Sequence, residues 1–138
     1  MFTFQELYTA YKQCRLKKRP SPDQIRFDQK ITENLNKLLQ ELNFGTYKVS
    51  PYRCFVVLHP KPREIFAANF RDRIVHHLIV SRLTPQWEKR FYYGSFACRK
   101  GRGTHGAMKY LIKKHKENSN DGKEEVFFLQ MDLAAFFV

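Results

Sequence analysis

Three groups of residues in this chain are of types that could do chemistry. The first is a lone acid, Asp132, in the stretch Phe128-Leu129-Gln130-Met131-Asp132-Leu133-Ala134-Ala135-Phe136-Phe137. An acid at the end of an apolar run has two readings. It can turn or cap the chain where a strand stops. It can also be a hard oxygen ligand for Mg²⁺ in a phosphoryl-transfer site. One carboxylate cannot hold two ions, so the second reading needs acidic partners further along. The second group is Lys61 and Arg63, set among Pro60 and Pro62. Such a pair at a turn is either solvated or a grip on phosphate, with Arg supplying a planar fork and Lys a mobile point charge.

The third group is a run of cations. Lys89, Arg90, Arg99, Lys100, Arg102, Lys109, Lys113, Lys114 and Lys116 occur with no Asp or Glu between the first and the last. A solvated helix face mixes signs, whereas a stretch of one sign is expected to follow a nucleic-acid backbone. Tyr92, Tyr93 and Phe96 are interleaved with it and could stack on bases or fill a core. For Phe96 the core is the expectation.

The whole composition points the same way. The chain has 138 residues, a net charge of +12, thirteen Phe and seven Tyr. That length suits one domain with a real core. A charge so far from zero fits a polyanionic partner, because each cation set against a phosphate releases a counterion. Cys14, Cys54 and Cys98 are odd in number and form no CxxC pair, which suggests a reduced, cytoplasmic chain. His76 and His77 are adjacent and would point about 100° apart on a helix, so they make no zinc site. The first residues form no signal peptide, and no apolar stretch is long enough to span a membrane.

Helices and a hairpin must position these groups. Phe4, Leu7, Tyr8 and Tyr11 recur at helical spacing. Pro20-Ser21-Pro22 ends that helix region, Asp23 is a plausible N-cap, and Phe27, Ile31, Leu35, Leu38 and Leu42 form one apolar stripe. Gly45 follows, as after a helix end. Tyr52 to Leu58 and Arg63 to Ala68 predict two strands of a β-hairpin, with prolines that rule out a tight turn. Asn69 or Asp72 starts a helix with Ile74, Val75, Leu78, Ile79 and Leu83 on its buried face. Pro85 opens a second short helical stretch. Three glycines among Arg99, Lys100 and Arg102 predict a basic loop, and Thr104 can cap a helix from about His105 to Lys116. Val126 to Met131 predicts a buried strand. An ending this apolar needs covering, so the chain is expected to be a piece of a longer protein.

Three of these segments together resemble the bacterial reverse transcriptases, in particular those of diversity-generating retroelements, retrons and group II introns. Lys61 to His77 is similar to a "KPREI…FRDRVVHH" block. Ser95 to His105 is similar to "SYACRKGKGTH". Phe128 to Phe137 is similar to the "hxhDhxxFF" strand that carries the first metal-binding aspartate. The blocks occur in the family's order and spacing, and the resemblance covers nearly the whole chain.

The resemblance implies an α+β fold: N-terminal helices, a small antiparallel hairpin sheet and further helices, the fingers of a right-hand polymerase, ending in the first strand of an incomplete palm. It implies a lead-in over 1–45, fingers over 46–123 and the start of the palm over 124–138. In function it implies Mg²⁺-dependent DNA synthesis on an RNA template from a DNA primer and deoxynucleoside triphosphates. Asp132 would be catalytic and, with the Leu133 carbonyl, would hold metal. Lys61, Arg63, Leu133 and Phe136 would bind the nucleotide, Phe136 by rejecting a 2′-hydroxyl. Arg71, Arg73, Arg99, Lys100 and Arg102 would lie near template, with the fingers core as the other place for Arg71 and Arg73. His76 and His77 carry no implied chemistry, and helix packing is expected for at least one.

The sequence departs from the family in lacking the paired aspartates of the YxDD segment, so this piece is expected to be inactive alone. Exposed apolar surface near its end would let it self-associate. The competing expectations are a basic RNA-binding module without chemistry and, more weakly, an accessory domain that binds protein through its aromatics.

Overall fold

Thr3 opens the first helix. Its hydroxyl accepts from the Glu6 amide, and the Glu6 carboxylate accepts from the Thr3 amide, so two amides left over at the helix start are satisfied together. In the computed structural model, which describes residues 1–16 and 18–134, that helix is α1, Phe4–Arg15. The elements that follow are α2 (Pro22–Asp28), α3 (Ile31–Asn43), β1 (Arg53–Val57), β2 (Arg63–Ala67), α4 (Phe70–Trp87) and α5 (Thr104–Asn118). The fold is α+β, with five helices and one two-stranded antiparallel sheet among the described residues. No described helix is long and apolar enough to cross a membrane. The chain divides into two compact units, Met1–Lys89 and Arg90–Val138.

The first unit holds the core. α1 packs on α3 and α4, and α2 packs on the same two helices. Leu7, Tyr11, Leu35, Leu38, Phe70, Ile74 and Leu78 are all essentially sealed from solvent. Phe70 meets Tyr11 and Phe27 edge-on, with ring centroids 6.1 and 5.5 Å away, a favourable arrangement for aromatic quadrupoles. Tyr11 donates to Asp28 and accepts from Arg15, and burial first, then that carboxylate, pushes its phenol up to about 12.

Several expectations change here. The stripe from Phe27 to Leu42 belongs to two helices, because the backbone leaves helical geometry at Lys30. Asn34 spans the break by donating to the Phe27 carbonyl at 2.9 Å. Periodicity does not detect such a break, since Phe27, Leu35 and Leu38 all enter one core cluster. Ser21, not Asp23, is the N-cap of α2. Pro85 opens no new helix but sits inside the last turn of α4, where its missing N–H costs a single bond. Ile79 and Leu83 are exposed rather than buried.

Asp72 is completely buried in the first turn of α4, where an acid suits the positive end of the helix. It accepts from the Tyr47 hydroxyl and the Ser50 amide. Burial first, then this bond, raises the Tyr47 phenol well above its ordinary value. The approach to the hairpin is thus tied to α4. Gly45, at φ +71°, makes the turn after α3, a conformation few other residues adopt without strain.

The second unit has a different make-up. α5 buries none of its residues, and Gly103 rather than Thr104 occupies the N-cap position. Val126 to Met131 forms no strand, and Phe127, Phe128, Leu129 and Met131 are exposed. The physical reason is that a buried strand needs neighbours for its backbone groups and both faces. Phe128 stacks on His115 of α5, with ring centroids 5.7 Å apart.

Candidate nucleic-acid interface

Strand alternation decides which hairpin residues share a face. The pairs run Arg53 with Ala67, Phe55 with Ile65 and Val57 with Arg63 on one face, and Cys54 with Phe66 and Val56 with Glu64 on the other. Arg63 therefore stands at the loop end of a face that has Phe55 midway and Arg53 at its base. Lys61 lies in the loop 58–62 beside Arg63, and both cations are exposed. The structure brings this predicted pair together at one end of the hairpin. It also adds Arg53, whose place on the same face follows from the register and was not singled out in the sequence. The alternation of Arg53, Phe55 and Val57 was the available signal.

Arg71 and Arg73 are engaged within the first unit. The Arg71 guanidinium bonds to Glu41, donates to the Lys48 carbonyl at 3.1 Å and lies 4.9 Å over the Tyr47 ring. It joins α3, the Tyr47 segment and α4. Arg73 lies over Phe70 and reaches Ser21 Oγ at 3.4 Å. His77 is half-buried, and burial first, then the charge of Lys18, lowers its pKa, whereas His76 is exposed.

In the second unit the basic loop is organised by its own arginines. Arg99 donates to the carbonyls of Tyr92 and Ser95, at 3.3 and 2.9 Å. Arg102 donates to the Tyr93 carbonyl, with its charge 4.6 Å over the Tyr93 ring and 5.7 Å over that of Phe96. Cys98 and Gly101 have positive φ, which lets the loop turn back on itself. Arg99, Lys100, Arg102 and Phe96 line one open pocket with the start of α5. Lys100 is exposed, while Arg99 and Arg102 are half-buried. Phe96, expected in a core, is half-buried against Tyr110 at 5.4 Å. Tyr92 and Tyr93 are largely exposed. A hydrogen bond with Tyr92, aided by burial, raises the Tyr110 phenol. The long run without acids is partly compensated in space. Glu117, one residue beyond it, pairs with Lys114 at 2.7 Å and with Lys113 at 3.7 Å.

Asp132 is exposed, and its carboxylate accepts from the Leu133 amide at 2.9 Å. Among the described residues no group of three His, Cys, Asp or Glu side chains gathers to hold a metal. The described residues therefore do not by themselves fit a two-ion site. Phe136 lies outside the described residues.

The arrangement places exposed cations at one end of the hairpin and, in the second unit, a basic loop flanked by exposed tyrosines. No family model matches the chain, and no curated protein matches it.

Proposed function

We propose that this chain is the fingers portion, with the first palm motif, of a reverse transcriptase, and that it handles RNA template and incoming deoxynucleotide. The observation that carries the reading is the ordered set of three motif blocks centred on Lys61–His77, Ser95–His105 and Asp132. The placement of Lys61 and Arg63 at one exposed end of the hairpin supports it, because a triphosphate must be gripped where solvent can deliver it. Exposed Lys100, Tyr92 and Tyr93 support template binding, since phosphates take the cations and bases take the rings. Arg99 and Arg102 act by shaping that loop, and Arg71 acts by fixing the approach to the hairpin.

Asp132 is the proposed Mg²⁺ ligand, with Leu133 beside it, and the remaining acids belong to sequence outside these residues. The ions, when bound, would supply charge neutralisation at the reacting phosphate. Most of the protein's work in such a reaction is positioning. The test is primer extension on RNA by the longest product of the encoding gene. Mg²⁺-dependent extension that Asp132→Ala abolishes is the expected result. Extension that is indifferent to that substitution, or RNA binding without any extension, would leave the non-catalytic RNA-binding module.

A further inference from the structure

We propose that the pocket at the base of the β1–β2 hairpin binds a phosphate group through Arg53 and Arg73. The cavity measures about 510 Å³, and its walls come from the start of α2 (Ser21, Asp23, Arg26), the base of β1 (Arg53) and the start of α4 (Asn69, Arg73). That volume suits a small ligand. Arg73 is incompletely satisfied by the described residues. Its guanidinium sits 5.4 Å over Phe70, a ring that is itself buried. Its Nε is shut off from solvent and has no acceptor among the described residues. Its contact with Ser21 Oγ, at 3.4 Å, is long for a hydrogen bond. Among the described residues no carboxylate pairs with it. A guanidinium held against an apolar core without a counter-charge is costly, and an anion in this pocket removes that cost.

The charge of the cavity fits an anion. Asp23 is the one acid in its lining, and it is bonded to Arg26. Arg53 and Arg73 are left as excess positive charge. Two guanidinium forks arriving from different elements match the spread of oxygens on a phosphate. This pocket is not the Lys61–Arg63 grip. Arg53 and Arg63 stand at opposite ends of one hairpin face, roughly 13 Å apart at the usual rise per strand residue. The inference needs only an anion and stands whether or not the chain belongs to a polymerase. The phosphate can come from a nucleic-acid backbone or be free in solution.

The test uses the intact chain and inorganic phosphate, titrated by NMR at constant ionic strength with chloride as the balancing salt. Saturable shifts at the Arg73 Nε–H and the amides of Ser21 and Asn69 are expected. Affinity should fall at least tenfold in Arg53→Ala, an exposed position that leaves folding intact, and in Arg73→Lys, which keeps charge but loses the fork. A short RNA without terminal phosphates, added in competition, separates the sources: displacement of phosphate assigns the pocket to a strand backbone, and no displacement assigns it to free phosphate. Shifts that stay linear in phosphate, or that persist unchanged in Arg53→Ala, overturn the proposal.

Discussion

In Met1–Lys89 the apolar side chains converge. Leu7, Leu35, Leu38, Phe70, Ile74 and Leu78 come from three helices and end in one sealed cluster. In Arg90–Ala134 comparable side chains stay outside, with Met108, Leu111, Ile112, Phe127 and Leu129 all more than half exposed. α5 is no less amphipathic than α4, which supplies half of those sealed residues, so the difference lies in partners. A helix face is buried only when another element arrives to cover it, and packing rather than propensity supplies most helical stability. The first unit has four helices to do this, whereas the second has α5 alone among its described elements. Its order comes from loop bonds instead: Arg99 and Arg102 on carbonyls, and the buried Ser119 hydroxyl accepting from the Gly122 amide at 2.8 Å.

Substitutions can break this contrast. Phe70→Ala should lower stability by about 4 kcal/mol, through lost burial and a cavity between Tyr11 and Phe27. Ile112→Ala should change it by less than about 0.5 kcal/mol. Denaturant unfolding of the two variants checks both, and equal losses would mean that α5 is covered in solution.

Asp72→Ala should come next, at about 3 kcal/mol. It strands the Tyr47 hydroxyl and the Ser50 amide, and each orphaned buried group costs roughly 1–3 kcal/mol. Hydrogen exchange should then rise at Ser50, while protection in α5 stays as it was.

The cations sharpen the contrast from the functional side. Lys100→Ala should weaken RNA binding severalfold and reduce the salt slope by about one, and Arg63→Ala should weaken deoxynucleoside triphosphate binding severalfold, both with no change in melting temperature. Arg71→Ala should do the reverse, lowering the melting temperature because it releases Glu41 and the Lys48 carbonyl. Binding isotherms at several salt concentrations, with thermal melts alongside, decide the matter.

The smallest effect concerns pH. His77 has a lowered pKa in the folded chain, so the unfolded chain binds its proton more readily. Stability should be complete above the ordinary histidine range, near pH 6.5, and fall as the pH drops through it. His77→Gln should flatten that part of the curve, and thermal melts from pH 7.5 to 5.5 would register it.

Sequence by itself determined the local elements. Asn69 and Gly45 mark helix ends because capping is chemistry between residues a few positions apart. The strands at Arg53–Val57 and Arg63–Ala67 were legible from β-branched and aromatic residues around prolines. The cations of the candidate interface were legible for the same reason, since charge is a property of composition. Only the tertiary structure decided what depends on distant partners. It broke the Phe27–Leu42 stripe at Lys30, left Val126–Met131 uncovered and unpaired, and turned Arg71 inward to Glu41. It also set Arg53 and Arg73 around one cavity. Burial and ion pairing are settled by residues far apart in the chain, and no local pattern records which of them will meet.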